Sequence, residues 1–459
     1  MASIIAGDDQ LHVRVVSRRL VKASDSIKPH VLAVSNLDLV PLSVQGSLFV
    51  IYPKPPTADF AAVVAAFEAG LPSLLNHFFP FAGRIVTDPS SGLPEVHCNN
   101  QGAELVVGEA GVALASLDYG NMSACLRKVQ LPYGEDMALS VQVVSFACGG
   151  FTVAWSTNHV LVDASAMSLL VGAWSELMRS GALAAGSRPN HDRSVFRPRV
   201  PPSYSAALDE AFTPLDSRRQ VNVLTAQQSF VQRTYCIEAS DIARLREMAS
   251  RDGTRATRVQ AVSAYLWKAL ARVVGTADAA CRMGWWVDGR QRLTAAPDLR
   301  AAMRNYVGNV VTFVVREASV PELLGTPLPG VAAMVREAIT APDYDERFQE
   351  LVDWVEDHKT QRYVETPSLG LGSPAVVVSA GGASPAHTDF GFGRAVLLVP
   401  TSALTARLCA GYVQTVVNPK ADGSWFANAV VWPRLAAALE SDEPRVFKPV
   451  TAEYLGLLR

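Results

Sequence analysis

Two side chains able to manage a proton stand four residues apart in the run His159-Val160-Leu161-Val162-Asp163. With a reference pKa of about 6.5, histidine is mostly neutral near neutrality and can take a proton from a hydroxyl or amine as that atom attacks a carbonyl. Asp163 could bond the ring, cap a following helix, or fix the turn that presents the base. The bland alternative is a hydrogen-bonded core histidine beside an ordinary helix cap. Zinc is a poorer fit, because no further His or Cys lies at ligand spacing nearby, and no metal is expected. Ser156 and Cys148 are close in sequence, but neither sits in a Gly-x-Ser-x-Gly elbow, so the residues favour direct transfer over a covalent enzyme intermediate.

The pair must be held by its flanks. Upstream, Phe151, Val153, Trp155 and Thr157 alternate with Thr152, Ala154, Ser156 and Asn158, the two-residue period of a strand. Downstream, Met167, Leu170, Val171, Trp174, Leu177 and Met178 recur at three- and four-residue steps, the period of a helix. His159 therefore ends a strand and Asp163 opens a helix, with the turn between them at a place where sites often form.

Further along, Phe60, Val63, Val64, Phe67, Leu71, Leu74, Leu75 and Phe78 predict a helix with a kink or restart at Pro72. Strands are expected to dominate from about 94 to 158. Residues 186–220 turn polar, basic and proline-rich around Arg197-Pro198-Arg199-Val200-Pro201-Pro202 and read as a crossover linker between domains at 1–185 and 221–459. In the second half, Val259, Val262, Leu266, Ala269, Leu270 and Val273 predict another amphipathic helix. Residues 310–315, 375–379, 395–399 and 409–417 predict strands. Arg255-Ala256-Thr257-Arg258 precedes that helix, where amides and guanidinium groups could hold phosphates; a solvated basic turn is the alternative.

Bulk properties exclude several classes. A chain of 459 residues outgrows a single core, and 49% apolar residues can fill two. Forty-one Lys plus Arg against 43 Asp plus Glu gives a net charge of −2, with no general attraction for nucleic acid or acidic membranes. No apolar run approaches about 18 residues, and the amino terminus lacks a basic flank followed by an apolar stretch. Cysteines at 98, 125, 148, 236, 281 and 409 are scattered, as suits reduced thiols. The expectation is a cytoplasmic enzyme, a monomer, without membrane span or nucleic-acid partner.

A second run, Asp389-Phe390-Gly391-Phe392-Gly393, gives the first its context. Together with the His-x-x-x-Asp pentad it resembles the plant BAHD acyl-CoA-dependent acyltransferases, whose late motif usually reads Asp-Phe-Gly-Trp-Gly; Phe392 replaces the tryptophan. Phe78-Phe79-Pro80-Phe81-Ala82-Gly83-Arg84, Asp288-Gly289-Arg290 and Asn305-Tyr306-Val307-Gly308-Asn309 fall in that family's order. The resemblance spans almost the whole chain. It implies a mixed α/β fold of two domains similar to chloramphenicol acetyltransferase, meeting at a solvent channel. It implies His159 as general base and Asp163 in a structural role, turned away and paired with Arg290. Asp389, Gly391 and Gly393 would be scaffold near the CoA channel, and Arg255 and Thr257 match CoA-binding positions. Acyl-CoA would be a co-substrate, with no cofactor bound permanently.

Departures from that family bear on the acceptor. Members that acylate shikimate commonly carry Ser-Trp-x-Arg before the late motif, and this chain has Ser379-Ala380-Gly381-Gly382. Near the amino terminus, Gly46, Leu48 and Val50 stand where hydroxyl and tyrosine side chains are usual. With Ala380, Gly382 and Phe392 they predict a roomy, apolar acceptor pocket. The expected reaction moves a hydroxycinnamoyl or benzoyl group from CoA to an alcohol or amine, not to shikimate or quinate. Aliphatic acyl transfer and a non-catalytic binding role are the alternatives.

Overall fold

The computed structural model describes residues 11–41, 44–214, 223–224, 230–251, 253–369, 372–381, 388–402 and 410–458. Two mixed sheets organise it. The first has six strands, in spatial order Val13–Val21, Ala103–Ala110, Ser140–Phe146, Phe151–Asn158, Gln45–Tyr52 and Leu397–Ser402. The second has seven, in the order Val311–Ser319, Ala280–Asp288, Ala375–Ala380, Gly411–Val417, Trp425–Val431, Val231–Ile237 and Lys448–Pro449. Each sheet anchors its own apolar core.

The helices follow the apolar spacing. Phe60–His77 buries Val63, Phe67, Leu71, Leu74 and Leu75 along one stripe, and Asp59 caps it by accepting from Ala62 N. Pro72 lies inside this helix, so the chain runs on past the proline where a restart was one expectation. Ala164–Ser180 and Arg258–Val274 are likewise amphipathic and bury the predicted residues, apart from the half-buried Met178 and Val259. Helix Ala164–Ser180 packs against Phe60–His77 on one face of the six-stranded sheet. An aromatic cluster fills the space: Trp155 stacks on Phe390, and Phe67 meets Trp174 edge-on.

Strands dominate between 94 and 158 as expected, with helix Met122–Val129 among them, its Met122, Cys125, Leu126 and Val129 at helical spacing. Two expectations need correction. The strand expected at 395–399 runs from Leu397 to Ser402, and it does not join the sheet of its own half. It pairs antiparallel with Gln45–Tyr52 and completes the first sheet, so residues 221–459 do not form a closed unit by themselves. The crossover is not a bare linker either. It carries helix Ala207–Ala211 and strand Phe212–Pro214, and Arg199 ties it to Asp353 of helix Tyr344–His358 at 2.5 Å.

Candidate active site

His159 follows directly from Asn158, the last residue of strand Phe151–Asn158. Its backbone N–H donates to Val44 O at 2.8 Å, which prolongs the strand pairing by one bond. The turn then closes through Leu161 N to Asn158 O, and Asn158 Oδ1 accepts from Val160 N at 3.0 Å. Asp163 is the N-cap of helix Ala164–Ser180, taking the Ala166 N–H on Oδ1 at 2.9 Å.

The second oxygen of the Asp163 carboxylate serves a different pair of donors. Oδ2 accepts from Arg290 Nη1 at 2.7 Å and from Val310 N at 3.0 Å. Burial alone would raise this carboxyl, but the Arg290 charge and the hydrogen bonds outweigh it and hold the group below the usual carboxylate range. Arg290 is shifted in the complementary direction, further above its usual value: Asp163 and Asp288 overcome its own desolvation. The same guanidinium donates to Gly308 O at 2.8 Å and to Tyr306 O at 3.3 Å. Asp163 and Arg290 thus fasten the segment 306–310 to the turn that carries the histidine.

The ring is held by a different residue. His159 Nδ1 lies 3.1 Å from Asn309 Oδ1, and Asn309 Nδ2 donates to His159 O at 2.8 Å and to Asp38 Oδ1 at 3.1 Å. Both of those oxygens only accept, so the amide nitrogen must face them and Oδ1 must face the ring. An acceptor at Nδ1 requires a proton there. The lone pair is therefore on Nε2, the form of imidazole that can act as a base from that atom. Asn309 stood inside a quoted motif without a role, and Asp38 was not singled out. The pattern Ser35-x-x-Asp38 is a capping-box signal, and it forms, but no sequence spacing joins it to residues 159 or 309.

The late motif wraps over the aromatic cluster. Asp389 Oδ1 accepts from Gly391 N at 3.1 Å, Tyr52 Oη donates to Thr388 O at 2.7 Å, and Gly391 and Gly393 have φ of 85° and 101°. Those left-handed conformations favour glycine. Phe392 packs on Phe67 and Phe151, and Leu48 pairs across the strands with Trp155 on the same helix-covered face. Leu48 is buried there, and Phe392 packs against the same core while staying half-buried. Gly46, opposite Thr157, shares that face near the strand end, and Ala380 is exposed at the end of its strand. Gly382 lies outside the described residues. The opposite face of the sheet carries a hydroxyl pair that sequence reasoning passed over. Ser47 and Ser156 lie 2.7 Å apart, and Gln130 Nε2 donates to Ser47 Oγ at 2.6 Å.

Thr257 is the N-cap of helix Arg258–Val274, in a reciprocal capping box with Gln260. Arg255 and Arg258 are exposed beside it, and partial burial together with their two charges pushes the Arg246 guanidinium down. Three cations thus gather at one helix N-terminus. Among the described residues, no group of three His, Cys, Asp or Glu is placed to hold a metal, and no helix is long and apolar enough to cross a membrane.

Two mixed sheets are thus joined by an exchanged strand, with an imidazole held through Nδ1 at the end of one of them. The chain belongs to the Transferase family, the BAHD acyl-CoA-dependent acyltransferases, whose family model matches residues 11–422. Putrescine hydroxycinnamoyltransferase 1 of Oryza sativa subsp. japonica is 28% identical over 96% of this chain and 99% of its own length. Omega-hydroxypalmitate O-feruloyl transferase of Arabidopsis thaliana is 24% identical over 85% of each chain. The same fold recurs in F. graminearum TRI101 complexed with ethyl coenzyme A, at a TM-score of 0.74, 15% identity and coverage of 92% of this chain and 99% of that one.

Proposed function

We propose that this acyltransferase moves an aromatic acyl group, hydroxycinnamoyl or benzoyl, from CoA to an amine or alcohol of substantial apolar surface. The observation that carries the reading is the polarised imidazole: Asn309 holds Nδ1–H, Nε2 keeps the lone pair, and Asp163 is occupied elsewhere. The acceptor oxygen or nitrogen attacks the thioester carbonyl carbon while Nε2 takes its proton, a contribution of about 10² to 10⁴ in rate. The tetrahedral intermediate then expels the CoA thiolate, which needs little help because a thiol's pKa is near 8.5, and the imidazolium returns the proton to sulfur. Arg255 and Arg258, beside the helix N-terminus that Thr257 caps, form the cationic patch for CoA phosphates. The activities named for the two plant relatives support an aromatic donor with an amine or hydroxyl acceptor. We place the enzyme in the cytoplasm, as a monomer.

The test is a matrix of cinnamoyl-, benzoyl- and acetyl-CoA against a diamine, a long-chain alcohol and shikimate, read by thiol release and product mass. Aromatic donors with the first two acceptors should exceed shikimate in kcat/KM by at least about 10²-fold, because an acceptor carboxylate would be desolvated with no arginine at position 380 or 382 to pair it. Preferred acylation of shikimate, or preferred transfer of acetyl, would overturn the corresponding half of the reading. His159→Ala should lower kcat by about 10² or more with CoA binding retained, and wild-type turnover in that variant would remove the base.

A further inference from the structure

We infer that Asp38 is a positioning residue for the base, acting on the His159 ring through Asn309; the inference rests on His159 being the base. Asp38 is wholly buried, in the short helix Asn36–Leu39 far from the histidine in sequence. One of its oxygens, Oδ1, accepts both the backbone N–H of Asn309 at 2.8 Å and the side-chain Nδ2 at 3.1 Å. Chelation of both ends of one residue leaves the asparagine a single orientation. Its remaining acceptor, Oδ1, can then face only the His159 ring.

The other oxygen of Asp38 does a second job. Asp38 Oδ2 accepts from Ser35 N and Ser35 Oγ, each at 2.8 Å, and pairs with Arg193. Arg193 in turn donates to Leu161 O at 3.2 Å and to Val160 O at 3.5 Å, the carbonyls immediately after the histidine. One carboxylate therefore sets the ring through Asn309 and the backbone through Arg193. When His159 becomes imidazolium, its Nδ1–H bond strengthens towards an amide already polarised by a buried anion, which favours the charged form where a lone amide would do less. Asp163 has no such path, since its Oδ2 is taken by Arg290 and Val310 N.

The experiment reads the tautomer directly. In the full chain labelled with ¹⁵N-histidine, the His159 signals are identified by their loss in His159→Ala. The wild type should show Nδ1 protonated and Nε2 unprotonated. Asn309→Leu and Asp38→Ala should each show a mixture of the two tautomers and lower kcat by at least about tenfold, with KM for acyl-CoA changed by less than about twofold. The double variant should fall well short of the product of the two single losses, because the effect of Asp38 on the ring runs through Asn309 and only its grip on the backbone through Arg193 is separate. A wild-type spectrum with the proton on Nε2 overturns the inference without any variant. So does a folded Asp38→Ala enzyme that keeps the wild-type tautomer, whatever its kcat, or a double variant whose losses multiply. If Asp38→Ala does not fold, the wild-type and Asn309→Leu spectra decide: an unchanged tautomer in Asn309→Leu overturns the inference, and a mixture supports it. Wild-type turnover in His159→Ala would instead remove the base, a failure distinct from any of these.

Discussion

Asp163–Arg290 and Asp38–Arg193 are two buried carboxylate–guanidinium pairs that reach the same short segment from opposite sides. Asp163 takes the Val310 amide and Asp38 takes the Asn309 amide, consecutive along the chain. Arg290 grips the carbonyls of 306 and 308, while Arg193 grips those of 160 and 161. The pairs differ in one respect that matters for chemistry. The pair containing the aspartate of the sequence motif is a clamp, and the pair outside that motif leads to the imidazole. Proximity in sequence to a catalytic histidine is thus a poor guide to which carboxylate serves it.

The comparison breaks most visibly in stability. Asp163→Ala removes the buried partner of Arg290 and leaves it only Asp288, and it should cost roughly 3 kcal/mol in urea unfolding. The milder Asp163→Asn should lower the melting temperature yet leave kcat, in the folded protein, much closer to wild type than His159→Ala does. An Asp163→Asn enzyme of full stability and no activity would reverse the roles of the two carboxylates.

Acid should separate the pairs next. His191, two residues before Arg193, is pushed down to about 4, by burial first and then by the Arg193 charge, against the raising effect of its bond to His77 O. Its unfolded value is 6.5, so its contribution is complete above that pH and is lost as pH falls towards about 4, roughly 3 kcal/mol in all. Asp163 is depressed below 3.8, so its contribution stays whole across that window and is lost only below it. Urea unfolding from pH 7 to 4.5 should therefore show a steep loss that His191→Gln flattens. An unchanged slope in His191→Gln would place the acid sensitivity elsewhere. The smallest effect expected is at Thr257, remote from both pairs. Thr257→Val removes a cap worth about 1 kcal/mol and should leave kcat unchanged, whereas Arg255→Ala should raise KM for acyl-CoA with little change in stability. A fall in kcat in Thr257→Val would tie this helix to the reaction centre.

What the sequence made legible was local. The strand into His159, the helix out of Asp163 and helix Arg258–Val274 each follow from side-chain period and caps within a few residues. The Asp163–Arg290 pair was reached through family resemblance. Illegible were the long-range pairings: Asn309 with a ring 150 positions away, and Asp38 with Asn309 at a separation of 271. Asp38 reads locally as an ordinary cap because it is one, and nothing local marks the second use of the same oxygens. The face that Leu48 occupies was illegible for a related reason: an apolar residue on a strand does not say which side of the sheet it will take, and the partner strand decides that.

The exchanged strand has a consequence for how the chain is made. Until Leu397–Ser402 emerges from the ribosome, the Gln45–Tyr52 strand presents an open, apolar margin to solvent, the kind of template that recruits other chains. Everything from 53 to 396 must be synthesised first, which at about 5–20 residues per second takes roughly 20–70 s. The nascent protein therefore spends that interval with its first sheet unfinished, and its yield in a cell depends on what shields that margin during translation.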